Sequence, residues 1–451
     1  MRFSRASDGH FTGMSTSESP QGETRPRLHV VMAALGTSGD MYPFLALAVS
    51  LQRRGHRVTF FGPAPHERHA RLAGVPFHAV GTVEDYQEAL ADPDLWHPQR
   101  SFKLIWQGLN RCLDLLPAFV RTLPQDEPCV ILSHLLAIPS AALVRPLRPD
   151  IPIVSVVLAP SNLRTSHDPL TIGPLSIPPW VPMAWRRWIW GRVDARFLDP
   201  VALPDLNAER GRRGLPPVDH FHAHMQGASD LSVALFPAWF APAPPDWPQP
   251  LVQGDFQLYE PDAGQPMSAE LTRFLSAGEP PIVFTAGTGH RHASAYFAKA
   301  VQATRRLGAR AVLLSSAREQ VPASLPDSVL WQPYVPFRTL LPAAAALVHH
   351  GGIGTTAEAL RAGVPQLVVP FAHDQFDNGA RIQALGVGRA MPASRLRAGA
   401  LARVLDGLVS SPSVKAACRV VANRFAAQAS NDALCQRIEA LMARPAEAVR
   451  P

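Results

Sequence analysis

The chain has 451 residues, 47% of them apolar, and a formal net charge of +7, enough length for two domains with separate cores. Its positive charge is almost all Arg, with Lys only at Lys103, Lys299 and Lys415, and no dense basic run is interleaved with stacking aromatics, which argues against a nucleic-acid partner. No apolar run approaches a transmembrane helix, and Cys112, Cys129, Cys418 and Cys435 lie far apart without metal-type spacing, so a reduced cytosolic setting is expected.

Residues 1–27 are polar, rich in Ser, Gly and Arg, and lack the apolar region of a signal peptide; they read as a disordered leader, with Met14 as an alternative start. Leu28–Leu35 is a short apolar strand, followed by Gly36-Thr37-Ser38-Gly39-Asp40 and an Ala/Leu-rich helix to about Arg54. Gly36 and Gly39 permit a tight strand-to-helix turn. Asp40 is then expected at the carboxyl end of the strand, as a functional carboxylate or as the N-cap of the helix. Strands at Arg57–Phe61, Val130–Leu132 and Ile151–Val157 continue a doubly wound α/β pattern, and His134 falls at another strand end. Residues 160–220 break the rhythm with many Pro and Trp. Trp180, Trp185, Trp188 and Trp190, with Arg186, Arg187 and Arg192, read as a packed helix or as an apolar, basic-rimmed acceptor entrance or membrane contact.

The Pro-rich stretch from Phe236 to Pro250 reads as an interdomain linker. The expected division is an N-terminal domain at 28–235, a linker at 236–262, a C-terminal domain at 263–412, and a helical segment at 413–443 that returns to the first domain. Ile282–Thr285 is a buried strand ending in the small-residue turn Ala286-Gly287-Thr288-Gly289, and Thr288 is expected in the interdomain cleft.

The densest chemistry lies at His349-His350-Gly351-Gly352-Ile353-Gly354-Thr355-Thr356, between an apolar strand and a helix. A helix N-terminus offers unpaired N–H groups and the positive end of its dipole, and glycines let an anion approach. Thr hydroxyls add donors, so the loop suits a diphosphate. It lacks the Lys of a Walker loop and the glycine spacing of the dinucleotide fingerprint. Glu358, one to two turns into the helix, suits ribose hydroxyls. Asp374 and Gln375, after the strand Gln366–Pro370, suit sugar hydroxyls. Diphosphate, ribose and sugar binders in this order describe a nucleotide-sugar site.

The block from Trp331 to Asn378 resembles the donor-binding signature of inverting glycosyltransferases of the UDP-glucuronosyltransferase type, which have the two-domain GT-B fold. The resemblance implies that Tyr334 stacks on the nucleobase, with Trp331 as an alternative. It places a diphosphate-binding His at His349 or His350, a phosphate-binding hydroxyl at Thr355, and a ribose-binding Glu at Glu358. Asp374 and Gln375 fall on the sugar-binding pair, and Asp40 on the catalytic base. The segments Asp92–Trp96, Ser101-Phe102, Leu235–Pro242 and Asp246–Pro250 are similar to the catalytic subunits of the rhamnosyltransferases that make monorhamnolipid.

This narrower resemblance implies transfer of L-rhamnose from dTDP-L-rhamnose to a 3-(3-hydroxyalkanoyloxy)alkanoate, with no metal or other cofactor. It also implies a functional partner that makes the lipid acceptor. The modest basic bias and the Trp and Arg cluster leave peripheral contact of a cytoplasmic enzyme with the inner membrane as the expected setting. Trp96, Phe102, Trp106 and His134 are the acceptor-side candidates. The double His is shared with macrolide and glycopeptide glycosyltransferases, which leaves another sugar on a macrolide, sterol or other lipophile as the alternative. A non-catalytic GT-B partner protein is the alternative of another class, opposed by the presence of both Asp40 and the glycine loop.

Overall fold

The computed structural model describes residues 27–97, 99–167, 170–260, 266–426 and 431–442. The expected leader therefore lies outside the described residues, apart from Arg27. Two parallel sheets organise the chain. The first has the order β3-β2-β1-β4-β5-β8-β9, built from β1 (His29–Ala33), β2 (Arg57–Pro63), β3 (Phe77–Val80), β4 (Cys129–His134), β5 (Ile153–Val157), β8 (Leu231–Ala234) and β9 (Leu251–Gln253). A small antiparallel hairpin, β6 (Leu170–Ile172) and β7 (Leu175–Ile177), stands outside it. The second sheet has the order β12-β11-β10-β13-β14-β15, from β10 (Ile282–Thr285), β11 (Ala311–Leu314), β12 (Val329–Gln332), β13 (Ala346–His349), β14 (Gln366–Val368) and β15 (Gly388–Ala390).

Helices cover both faces of each sheet, which is why the strands read as continuous apolar runs. Along β1, Val30 and Met32 enter one core and Val31 and Ala33 the other. In the second sheet Ile282 and Phe284 face one layer and Val283 the opposite one. Each of these Val, Met, Ile and Phe side chains contributes about 1.5–3 kcal/mol of burial. Strand order reverses between β1 and β4 and again between β10 and β13. Ligands of open α/β sheets bind at such switch points, beyond the carboxyl ends of the strands.

Two boundaries differ from the sequence reading. The stretch expected as a linker is structural: β9 pairs with β8 as the edge strand of the first sheet, and Phe236, Phe240 and Trp247 are buried. The C-terminal segment also divides. The helix Pro412–Ala426 stays with the second domain, burying Val414, Cys418 and Val421 there. The helix Asp432–Glu439 lies on the first domain, inserting Leu434, Cys435 and Ile438 into its core. There Arg54 donates to Glu439 at 2.6 and 2.8 Å, and His56 Nε2 lies 2.8 Å from Glu439. The Arg54 hydrogen bonds hold the Glu439 carboxyl down to about 2.

Candidate active site

Asp40 lies just beyond the carboxyl end of β1. Thr37, not Asp40, is the N-cap of the helix Ser38–Arg53, and Asp40 is its third residue in a capping box. Asp40 Oδ2 accepts from the Thr37 backbone N–H at 2.7 Å and from its hydroxyl at 3.2 Å. The turn requires glycine at Gly36: its φ is +146°, and a Cβ there would sit 2.3 Å from Asp40 Oδ2. The other oxygen, Oδ1, lies 3.7 Å from Nε2 of His134, which ends the neighbouring strand β4. His134 is buried, and burial lowers its pKa against the opposing pull of Asp40 and the Leu35 backbone. One carboxylate oxygen is thus fixed by the turn, while the other lies toward the buried His134.

Across the cleft, β13 ends at His349 and the helix Ile353–Ala362 follows. The structure separates the paired histidines. His349 is fully buried; its Nε2 meets Gln366 Oε1 at 2.9 Å and its Nδ1 accepts from the Gly351 N–H at 3.1 Å. Both ring nitrogens are committed to shaping the loop, so His349 is removed from the donor-contacting set. His350 is half-buried, and its ring fits between two glycines. A Cβ at Gly352 would sit 2.4 Å from its Nε2, and one at Gly287, where φ is +85°, 2.6 Å from its Cε1. Burial, with His349 and His290 nearby, pushes its pKa down to about 3, so it is a neutral donor.

The first intrahelical bond runs from the Thr356 N–H to Gly352. The N–H groups of Ile353, Gly354 and Thr355 precede it and form an anion-receptive end. A Cβ at Gly354 would meet nothing within 4 Å, so this end is open. Gly351, with φ +98°, packs where a Cβ would lie 2.6 Å from Val368. Thr355 is half-buried, whereas Thr356 is fully buried in the core and is corrected from a donor contact to a packing residue.

Glu358 is buried on the same helix and accepts from Arg361 at 3.0 Å; burial raises its pKa. Tyr334 is 47% exposed just beyond β12. Trp331 is less available, because its indole N–H donates to Ser315 at 2.9 Å and its ring lies under Arg318. Thr288 is exposed beyond β10, and Gly39 is exposed on the first helical turn after β1. Asp374 accepts from Asn378 at 2.8 Å, and burial plus the nearby Asp40 push its carboxyl up to about 7. Gln375 spends its carbonyl oxygen on the Phe371 and Ala372 N–H groups at 2.8 and 3.1 Å, which fixes the loop and leaves only its NH2 end for a ligand.

The acceptor-side candidates separate as well. Trp106 is a core residue, 2% exposed with its N–H on Asp205 at 2.9 Å, and is corrected from an acceptor wall to packing. Phe102 is half-buried against Phe221. Trp96 instead crosses between domains, edge-on to His290 at 4.8 Å and near His373 at 5.8 Å. A Cβ on Gly289 would lie 3.1 Å from Thr37 and 3.3 Å from Trp96, so the two domains touch beside Asp40. His292 also reaches the Ala91 carbonyl at 2.9 Å.

Sequence reasoning missed His66, Tyr86, His290 and His373. His66, Tyr86 and His373 all sense the Asp40 charge; burial lowers His66 and raises the tyrosine. Only His373, next to Asp374 and held at φ +56°, carried a positional signal. Among the described residues no group of three His, Cys, Asp or Glu side chains is arranged to hold a metal ion.

Two family descriptions match: Glycosyltransferase family 28 N-terminal domain over residues 30–140, and Erythromycin biosynthesis protein CIII-like, C-terminal domain over 301–441. Glycosyltransferase GtfC of Amycolatopsis orientalis is 30% identical, over 81% of this chain and 86% of that protein. The chain belongs to the GT-B glycosyltransferases. This glycosyltransferase is also 28% identical to the O-mycaminosyltylonolide 6-deoxyallosyltransferase of Streptomyces fradiae, over 91% of this chain and 97% of that one. In fold it is similar to the glycotransferase of kitacinnamycin (TM-score 0.69, 21% identity, 92% and 99% coverage). It is likewise similar to the spinosyn rhamnosyltransferase SpnG complexed with thymidine diphosphate (TM-score 0.62, 20% identity, 91% and 100% coverage).

Proposed function

We propose that this glycosyltransferase runs a single in-line displacement, with Asp40 as base and the His350–Thr355 loop as cradle for the leaving diphosphate. The observation that carries it is the meeting of two switch points: the helix Ser38–Arg53, which holds the Asp40 carboxylate at its start, packs on the helix Ile353–Ala362, whose open N-terminus carries the neutral imidazole of His350. In this reading Asp40 takes the proton of the acceptor hydroxyl as its oxygen attacks the anomeric carbon. The bond from that carbon to the diphosphate oxygen breaks, and the developing charge is met by N–H groups and His350. Asp374 and the Gln375 amide hold sugar hydroxyls, Glu358 the ribose, and Tyr334 the base. No step calls for a metal.

The donor we propose is dTDP-L-rhamnose and the acceptor a 3-(3-hydroxyalkanoyloxy)alkanoate, giving monorhamnolipid. Support comes from the segments Asp92–Trp96 and Leu235–Pro250 and from relatives named for 6-deoxy sugars, the deoxyallosyltransferase and SpnG. Trp96, set between Asp40 and the sugar-binding loop, supplies an apolar wall suited to a 6-deoxy sugar. A second reading, another dTDP- or UDP-sugar placed on a macrolide or similar lipophile, is favoured by the near full-length likeness to the tylonolide enzyme. A mass-spectrometric transfer assay separates them. It pairs the hydroxyalkanoyl acceptor and a macrolide aglycone with dTDP-L-rhamnose, dTDP-glucose, UDP-glucose and UDP-GlcNAc in turn. Monorhamnolipid only with dTDP-L-rhamnose supports the first reading; glycosylated macrolide without it supports the second.

A further inference from the structure

The segment between β5 and the first sheet's later strands carries a surface that the transfer chemistry does not use. Trp180 is 80% exposed, Trp185 60%, Trp188 57% and Leu175, at the tip of the β6–β7 hairpin, 64%. Trp185 and Trp188 lie almost one turn apart on the helix Met183–Val193, edge to face at 5.7 Å. The helix is firmly held by its other side. Arg186 is buried and donates to the carbonyls of Val181, Ser166 and Pro178 at 2.9, 3.0 and 3.1 Å. Trp190 donates to Thr165 at 2.8 Å and lies under Arg164. The fold therefore buries Arg186 and half-buries Trp190, with their polar groups satisfied, and leaves the neighbouring tryptophans outside.

Within residues 170–198 every exposed ionic side chain is basic: Arg187, Arg192 and Arg196. The sole acid from residue 170 to 198 is Asp194, which turns inward to Arg164 at 2.5 and 2.7 Å. Indole rings favour the boundary between headgroups and acyl chains, and Arg favours anionic headgroups. Two copies of this segment would set these arginines against one another, which disfavours self-association. The face also lies beside the donor domain: β6 packs on the helix Gln375–Ala384, where Thr171 hydrogen-bonds Asp377.

We propose that Leu175, Trp180, Trp185 and Trp188, with Arg187, Arg192 and Arg196, form a docking surface for a bilayer carrying anionic phospholipid. The tryptophans enter the headgroup boundary and the arginines pair with lipid phosphates. The surface holds the enzyme peripherally, since no helix among the described residues is long and apolar enough to cross a membrane. The proposal does not depend on which sugar or acceptor the active site uses.

Co-sedimentation of the full chain with phosphatidylcholine vesicles, with and without phosphatidylglycerol, tests it. The wild type is expected to pellet with the anionic vesicles and to be released by high salt. Trp180→Ser, Trp185→Ser and Trp188→Ser combined should weaken binding by more than about tenfold. Arg187→Gln, Arg192→Gln and Arg196→Gln combined should weaken it roughly hundredfold. All six side chains are exposed, so both variants should melt at the wild-type temperature. The proposal is overturned if the wild type binds neither vesicle, or if both variants bind as the wild type does. A solution dimer that the Trp variant dissolves would also overturn it, because a second copy would then cover the face.

Discussion

The glycine loop after β13 and the described residues between about 160 and 200 both lie where the two domains meet, yet they obey different rules. The loop is dictated by backbone: Gly351 and Gly352 sit where a Cβ would strike Val368 or His350, and Gly287 makes room from the facing strand. The other segment is held by side-chain anchors, Arg186 and Trp190, and leaves three tryptophans in solvent. A leaving diphosphate asks for the same geometry whatever the acceptor, so it leaves a motif. An apolar acceptor or a lipid surface asks only for shape and hydrophobicity, which many sequences supply.

Substitutions on each side sharpen that contrast. Asp40→Asn should lower kcat roughly 10³-fold while dTDP affinity, measured by calorimetry, stays near wild type. Normal turnover in that variant would remove Asp40 as the base. His350→Ala should cost about 10²-fold in kcat and weaken dTDP as well, whereas His349→Ala should act through the fold and lower the melting temperature. Arg54→Ala, far from the cleft, should cost about 2 kcal/mol of stability by leaving Glu439 without its guanidinium partner, read by denaturant unfolding.

Asp374 supplies a pH test. Its folded pKa of about 7 lies above the ordinary 3.8, so the folded chain keeps a proton that the unfolded chain has released. Stability of the ligand-free enzyme should therefore fall as pH rises from about 4 through 7, by on the order of 1–2 kcal/mol after screening in the half-open cleft. Asp374→Asn should flatten that slope in a series of thermal melts. The smallest effect is expected of Trp106→Phe: about 1 kcal/mol of stability from the lost Asp205 bond, with the acceptor KM unchanged in steady-state kinetics.

These contrasts also explain what was legible. The alternation of apolar strands and helices announced two parallel sheets, and the strand-end positions of Asp40, His350 and Asp374 followed from it. The assignment within the His pair did not, because β13 is covered on both faces and its sequence shows no exposed side. Trp96 and Trp106 looked alike as residues; only the tertiary fold sends one across the cleft and the other into the core. His66 and Tyr86 approach Asp40 from elements between β2 and β4, a meeting no local spacing records. The Pro-rich stretch hid β9, since an edge strand of three residues tolerates prolines around it.

A carboxylate placed as Asp40 is has two chemical options, base or nucleophile, and they differ in the stereochemistry of the product. The most direct measurement is therefore the anomeric configuration of the glycoside by NMR, compared with that of the nucleotide-sugar consumed. Inversion is the predicted result, with the acceptor oxygen arriving opposite the departing diphosphate. Retention would contradict the account, because it requires a covalent or front-face route that the opposed β1 and β13 ends do not provide.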